Sequence, residues 1–224
     1  MAYQRTPYVE SKRAEARERL VMAALSLLAQ GGWRHVQMSA VAEAAGLSTG
    51  AVYLHFPSKT QLLAQAYRAQ AGAELRVVTE IADQTAPAAE RLAAAVRAFA
   101  QRAMSNRRLA YAMVLEPTEA EIEEERLHFH QQFIEQFRRI LQSGQDAGEF
   151  ELADPQVAAA CIFGAITESL MGPLVLAARA GGSDPDARPL IENVLAFCFH
   201  GLRSPGATRD EAPRVAPGPR RRRK

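Results

Sequence analysis

The chain is 224 residues long, 48% hydrophobic and close to neutral at +2, a size that holds one ordinary globular unit or a small domain fused to a larger one. No apolar run reads as long enough to span a bilayer, and Met1 to Arg19 lacks the apolar stretch of a secretory leader, so the expectation is a cytoplasmic protein with no membrane role. Cys161 and Cys198 sit in apolar helical contexts and are expected to be a reduced, buried pair with no disulfide framework.

The small net charge conceals an uneven distribution. Residues 1–70 carry a net +4, residues 71–203 a net −7, and residues 204–224 a net +5. Basic ends around an acidic middle suggest that the ends meet a polyanion and the middle does not.

Alanine is abundant, apolar positions recur at intervals of three and four, and no segment alternates with period two, which predicts an all-α fold. The first helix is expected from about Lys12 to Gln30, with Leu20, Ala24, Leu27 and Leu28 as its apolar stripe and Gly31-Gly32 as its stop. Trp33 and Val36 then cap a small core. Short helices follow over about Met38 to Ala45 and Ser48 to His55, separated by Gly46. Pro57 disfavours helix before it, and Ser58 is a good N-cap for a helix reaching about Asp83. Pro87 opens a helix to about Met104, and a short one runs from Arg107 to Leu115. A long amphipathic helix is expected from Glu119 to Ala147, closed by Gly148. Asp154-Pro155 starts an apolar helix through Leu176, with Gly172-Pro173 expected to kink or shorten it. Gly181-Gly182 reads as a turn, and Asp184-Pro185 starts the last helix, ending near Leu202. From Ser204 onward, Pro, Gly and Arg dominate with little to bury, so this tail is expected to be disordered.

The informative stretch runs from Val41 to Phe56, where two short helices joined at a glycine make a helix-turn-helix pattern. Ala42 is small because the second helix crosses close to it, and Gly46 supplies the positive φ of the turn. Val41, Leu47 and Val52 form the buried seam. The small residues Ser48, Thr49, Gly50 and Ala51 let the second helix press its N-terminus into a major groove, where free N–H groups suit phosphate.

From Ala42 to Lys59 the sequence AEAAGLSTGAVYLHFPSK resembles the tetracycline-repressor (TetR) family of bacterial regulators, and the resemblance covers about Arg17 to Tyr67. It implies that Ser48, Thr49, Ala51, Tyr53 and His55 face DNA, that Lys59 clamps a phosphate, and that Gln37 and Ser39 meet the backbone where the preceding helix starts. Two positions depart from the family pattern: Thr49 stands where relatives often carry lysine, and Gln37 where Ser or Thr is usual.

The resemblance also implies a ligand-responsive repressor, released from a palindromic operator by a small apolar or amphipathic effector. Phe99, Met104, Tyr111, Met113, Phe133, Phe137, Ile166 and Leu170 are the candidate lining residues, although such side chains at helical spacing build a core as readily as a pocket. Small residues recur every four positions at Ala160, Gly164 and Gly172, with Glu168 in register, and let another helix approach closely. In similar proteins the last two helices of each subunit pair as a four-helix interface. That implies a homodimer through Phe163, Gly164, Thr167, Glu168 and Met171, with Leu190, Val194 and Phe197 on the final helix.

The chain then divides into a flexible N-terminus (1–11), a helix-turn-helix domain (12–58), a helical ligand-binding and dimerisation domain (59–203) and a disordered basic tail (204–224). No cofactor is expected. His128 and His130 are two apart and fall on different helix faces, unlike a zinc-binding pair four apart. The Glu119 to Glu125 run reads as a solvated face. Ser48, Ser58 and Ser169 lack a nucleophile-elbow glycine pattern, so no catalytic residue is assigned. Two alternatives stay open: a helical small-molecule-binding protein or enzyme with a vestigial helix-turn-helix, and an activator or nucleoid-associated binder without an effector.

Overall fold

The computed structural model describes residues 7–180 and 186–202. Helix α1 spans Pro7–Gly31, so residues 7–11, expected to be flexible, form its first turns. Proline at the first helical position is preorganised for the helix and gives up an N–H that has no partner there. Leu20, Ala24 and Leu28 are fully buried, and the helix ends as expected, with Gly32 at φ 74°. An unforeseen 3-10 turn, Trp33–His35, follows.

Helices α2 (Met38–Ala44) and α3 (Thr49–His55) are joined through Gly46, whose φ of 65° is the left-handed conformation that glycine adopts without strain. Val41 and Val52 are fully buried and Ala42 almost so, whereas Leu47, expected in the same seam, is half-buried because it lies in the turn before α3. Ser58 caps α4 (Lys59–Ala82) by accepting the Gln61 N–H at 3.1 Å. Helix α5 (Ala88–Ser105) is capped from afar: the Glu149 carboxylate accepts the Ala88 and Ala89 N–H groups at 2.9 and 3.0 Å, and these bonds hold its pKa below the ordinary value. Asn106 caps α6 (Arg107–Val114). Helix α7 (Ala120–Asp146) buries Ile122, Phe129, Phe133, Phe137, Ile140 and Leu141 on one face. Helices α8 (Pro155–Ala180) and α9 (Arg188–Leu202) complete the bundle.

No strand occurs among the described residues, so the chain is all-α. The first three helices form one unit. Helix α4 runs from it into the larger bundle, packing on α1, α5 and α7, while α7 packs on α8.

Three further expectations are corrected. Helix α8 is not shortened at Pro173 but continues to Ala180, because buried Leu170 and Leu174 hold it to the bundle on both sides of the proline. Its segment Pro155–Arg179 is long and apolar enough, by length and composition, to cross a membrane, contrary to the sequence reading; here it packs against α6, α7 and α9. Cys198 is buried but Cys161 is exposed, because α8 turns that position outward; both are free thiols. The Gly181-Gly182 turn, the Asp184-Pro185 start and the tail from Ser204 lie outside the described residues.

Candidate nucleic-acid interface and effector cavity

Helix α3 carries most of the residues expected to face DNA. Ser48 is its N-cap, with Oγ accepting the Ala51 N–H at 3.2 Å. Ser48, Thr49, Gly50 and Tyr53 are exposed, Ala51 and His55 half-buried, and Val52 faces the seam. Ser39 is exposed on α2. Gln37 occupies the N-cap of α2 without capping it; its amide instead donates to the Arg34 carbonyl at 2.9 Å. Lys59, half-buried at the start of α4, borders a groove with Trp33, Arg34, Leu63, Pro117, Thr118 and Glu119.

Two arginines of α1 clasp the C-terminal end of α3. Arg13 donates to the Leu54 carbonyl at 3.3 Å and Arg17 to the His55 carbonyl at 3.2 Å. These carbonyls belong to the last turn, where they lack helical partners and gather partial negative charge. Arg17 also lies over the Phe56 ring at 4.3 Å and donates to Gln65 of α4 at 3.2 Å, so one side chain ties three helices. Burial, and then the charges of Arg13 and Arg17, push the His55 imidazole below its ordinary pKa. Sequence reasoning missed this clasp, because no local spacing connects α1 to residues some forty positions away.

The larger domain holds two adjoining apolar cavities of about 100 and 190 Å³. Tyr67, Phe99, Met113, Val114 and Phe133 wall both. Of the residues expected to line a ligand pocket, Phe99, Met113 and Phe133 line these cavities. Met104, Tyr111 and Phe137 line neither cavity. Met104 and Phe137 are buried in the core, and Tyr111 packs on that core beside Arg108. Ile166 and Leu170 face a separate small gap between α5, α8 and α9. The Tyr67 hydroxyl, raised by burial to about 12, keeps its proton at neutral pH.

The polar groups were not foreseen. Gln70, Glu74, Arg102 and Asn106 border the first cavity, with Arg102 bridging Glu74 (Nη2 to Oε1 3.0 Å) and Gln70 donating to Glu74 at 2.8 Å. Arg126, His130 and Thr167 border the second. His130 packs on Phe163 at 5.0 Å between ring centroids, whereas His128 meets Gln132 on its own helix.

Helix α6 joins cavity to DNA-facing unit. Leu109, Ala110, Met113 and Val114 line the first cavity, while the Ala112 carbonyl accepts the Trp33 indole N–H at 2.9 Å. Beside that bond, Arg108 and Glu116 pair at 2.9 Å directly over Gly32, where any Cβ would collide with both.

The residues expected at a dimer interface divide. Gly164, Glu168, Met171 and Phe197 are exposed, with open space above Gly164. Phe163 is instead buried in an aromatic cluster, stacked on Phe133 at 5.6 Å and edge-on to Phe99 at 5.4 Å. Thr167 turns inward to bond the Phe163 carbonyl, and Leu190 and Val194 line the gap beneath α9. The inward turn of these four follows from the helical period, which brings only one stripe of α8 and of α9 to the surface. Val157, not anticipated, is exposed in line with the outward set.

An exposed recognition helix on a three-helix unit, followed by a helical domain enclosing an apolar cavity, defines a DNA-binding transcriptional regulator. The comparisons give the family. The model for bacterial regulatory proteins of the tetR family matches residues 20–66, and that for the tetracyclin repressor-like C-terminal domain matches residues 85–171. Together they span more than half of the chain, which belongs to the TetR family. The transcriptional repressor KstR of Rhodococcus jostii is 48% identical over 52 residues, which are 23% of this chain and 24% of that repressor. The chain therefore spans about a quarter of that relative. The fatty acid metabolism regulator protein of Bacillus subtilis is 26% identical over 159 residues, 67% of this chain and 79% of that protein. The crystal structure of the transcriptional regulator FadR from Bacillus subtilis in complex with stearoyl-CoA shares the fold, with a TM-score of 0.69 at 23% identity over 83% of this chain and 98% of that one.

Proposed function

We propose that the protein is a homodimeric repressor of a pseudo-palindromic operator, acting in the cytoplasm and released by an effector with a long apolar part and a polar head. The observation that carries this reading is the double role of α6, which lines the cavity with Leu109, Ala110, Met113 and Val114 and holds Trp33 through Ala112. A ligand that pushes α6 outward displaces the unit bearing α3. Such a ligand must bind the DNA-free state more tightly, and a coupling of roughly 1–3 kcal/mol weakens operator binding several-fold to about a hundred-fold.

Effector class follows from the lining: aromatic and aliphatic walls suit a hydrocarbon chain, and the Arg102–Glu74 pair with Gln70 and Asn106 suits its polar end. The stearoyl-CoA bound by the Bacillus subtilis regulator supports an acyl thioester. Dimerisation is supported by the exposed apolar stripe of Val157 and Met171 on α8, on either side of Gly164, and by exposed Phe197 on α9. Two recognition helices related by a two-fold axis then require two half-sites.

The test is selection of the full chain on random duplex DNA at one stated salt concentration, followed by titration of the selected duplex with stearoyl-CoA and, separately, coenzyme A. Enrichment of a palindrome that stearoyl-CoA releases and coenzyme A does not is the expected result. A palindrome that stearoyl-CoA leaves bound overturns the effector class, and a folded dimer that enriches no sequence overturns the repressor.

A further inference from the structure

Leu54 is 75% exposed, more than any other large apolar side chain among the described residues. It lies on α3, about 200° around the helix from fully buried Val52 at 3.6 residues per turn, so it crowns the face that points away from the protein. Gly50, one turn earlier on that ridge, has no side chain, and the nearest atom to a Cβ built there is Ser48 Oγ at 4.0 Å. The backbone at Gly50 can therefore approach the floor of a groove, and Leu54 reaches furthest into it. The position of Leu54 is also fixed, because Arg13 holds its own carbonyl and Arg17 holds the next one.

Single exposed leucines are ordinary on protein surfaces. This one stands on the ridge of a recognition helix, and a major groove offers one apolar feature to a side chain, the 5-methyl group of thymine. We infer that Leu54 determines sequence specificity by packing on the methyl group of a thymine in each half-site. Tyr53 and Thr49, exposed together on one side of it, carry hydroxyls for phosphate or base edges, and the leucine supplies the apolar contact.

The experiment takes the selected operator and replaces each thymine in turn by uracil, which removes only the methyl group. Binding of the full chain and of Leu54→Ala is then compared. The wild type should lose about fourfold in affinity per half-site at one position, the worth of one buried methyl-sized group, and Leu54→Ala should lose nothing there. The variant should melt like the wild type because the side chain is exposed, and unaltered melting and dimer mass confirm that it is folded. An operator whose uracil forms bind the wild type as tightly as the thymine form overturns the inference alone, as does equal sensitivity of both proteins. No enriched sequence at all overturns it together with the sequence-specific reading.

Discussion

The indole N–H of Trp33 donates to the carbonyl of Ala112 at 2.9 Å, a buried bond between residues 79 apart in sequence that joins the DNA-facing unit to the wall of the cavity. Arg126 approaches the same carbonyl at 3.3 Å and also donates to the carbonyls of Met113 and Glu116, so the end of α6 is held from both sides. Whatever moves Met113 also moves the anchor of Trp33.

Trp33→Phe should therefore separate sensing from DNA binding. A phenyl ring stays near Tyr67 and the Ala112 carbonyl keeps Arg126, so the loss is that of one hydrogen bond and the void left by the smaller ring, about 2–3 kcal/mol together. Effector-free operator affinity should hold, while effector-driven release should weaken at least several-fold in a titration. Unchanged release would show that the signal leaves the cavity by another helix.

Filling the cavity should produce a repressor that no longer responds. Ala110→Leu places extra volume beside Leu109 and Met113 in a space of about 100 Å³. Overpacking strain of about 1–3 kcal/mol would be partly offset by the void it fills. Calorimetry should find no effector binding, and operator affinity should stay within about threefold of the wild type.

Arg17→Ala should weaken operator binding about tenfold without touching DNA, by loosening the end of α3. Losing the contact with Phe56 also costs stability, about 0.5–1 kcal/mol for an exposed cation–π pair. Arg17→Lys should fail to restore affinity, since an ammonium cannot reach His55 and Gln65 with a planar fork. A lysine variant that binds like the wild type would reduce the clasp to simple charge.

His55 gives stability a pH dependence. Its folded pKa lies below the unfolded value of 6.5, so its contribution is fully present above 6.5 and lost as pH falls through the lowered value. Urea midpoints should fall less between pH 7 and pH 5 for His55→Gln than for the wild type. An NMR titration placing His55 at or above 6.5 would contradict the cause assigned here.

Phe197→Glu and Gly164→Arg put charge onto the outward stripe of α9 and α8, and light scattering should find monomers. Leu190→Glu should instead lower stability and leave the dimer intact, because that half-buried side chain packs against the core beneath α9. Dimers that survive both outward substitutions would remove this face as the interface.

Local chemistry made the first half of the fold legible. Gly46 turns the chain between α2 and α3 through its positive φ, and Ser48 and Ser58 start α3 and α4 by accepting a backbone N–H with their own hydroxyls, all local effects. The cavity was only partly legible. Tyr67, Gln70 and Glu74 face it because α4 crosses α5 and α7 at a particular angle, which is fixed by distant packing and not by spacing along α4. For the same reason Phe163 and Thr167, on the helix face adjoining Gly164, turn inward although their spacing suits an interface. Pro173 misled because helix propensity is weaker than the burial that holds α8 in place.

Helix α4 begins at Lys59, in the groove shared with Trp33 and Glu119, and lines the cavity within the same 24 residues. Engineers who graft a new sensor onto this DNA reader therefore have no clean cut at Ser58. A chimera severed there would leave Arg17 and the indole of Trp33 facing foreign partners in place of Gln65 and Ala112, and would read DNA without hearing its ligand. A transplant that carries α4 together with α6 keeps the conversation between the two halves intact.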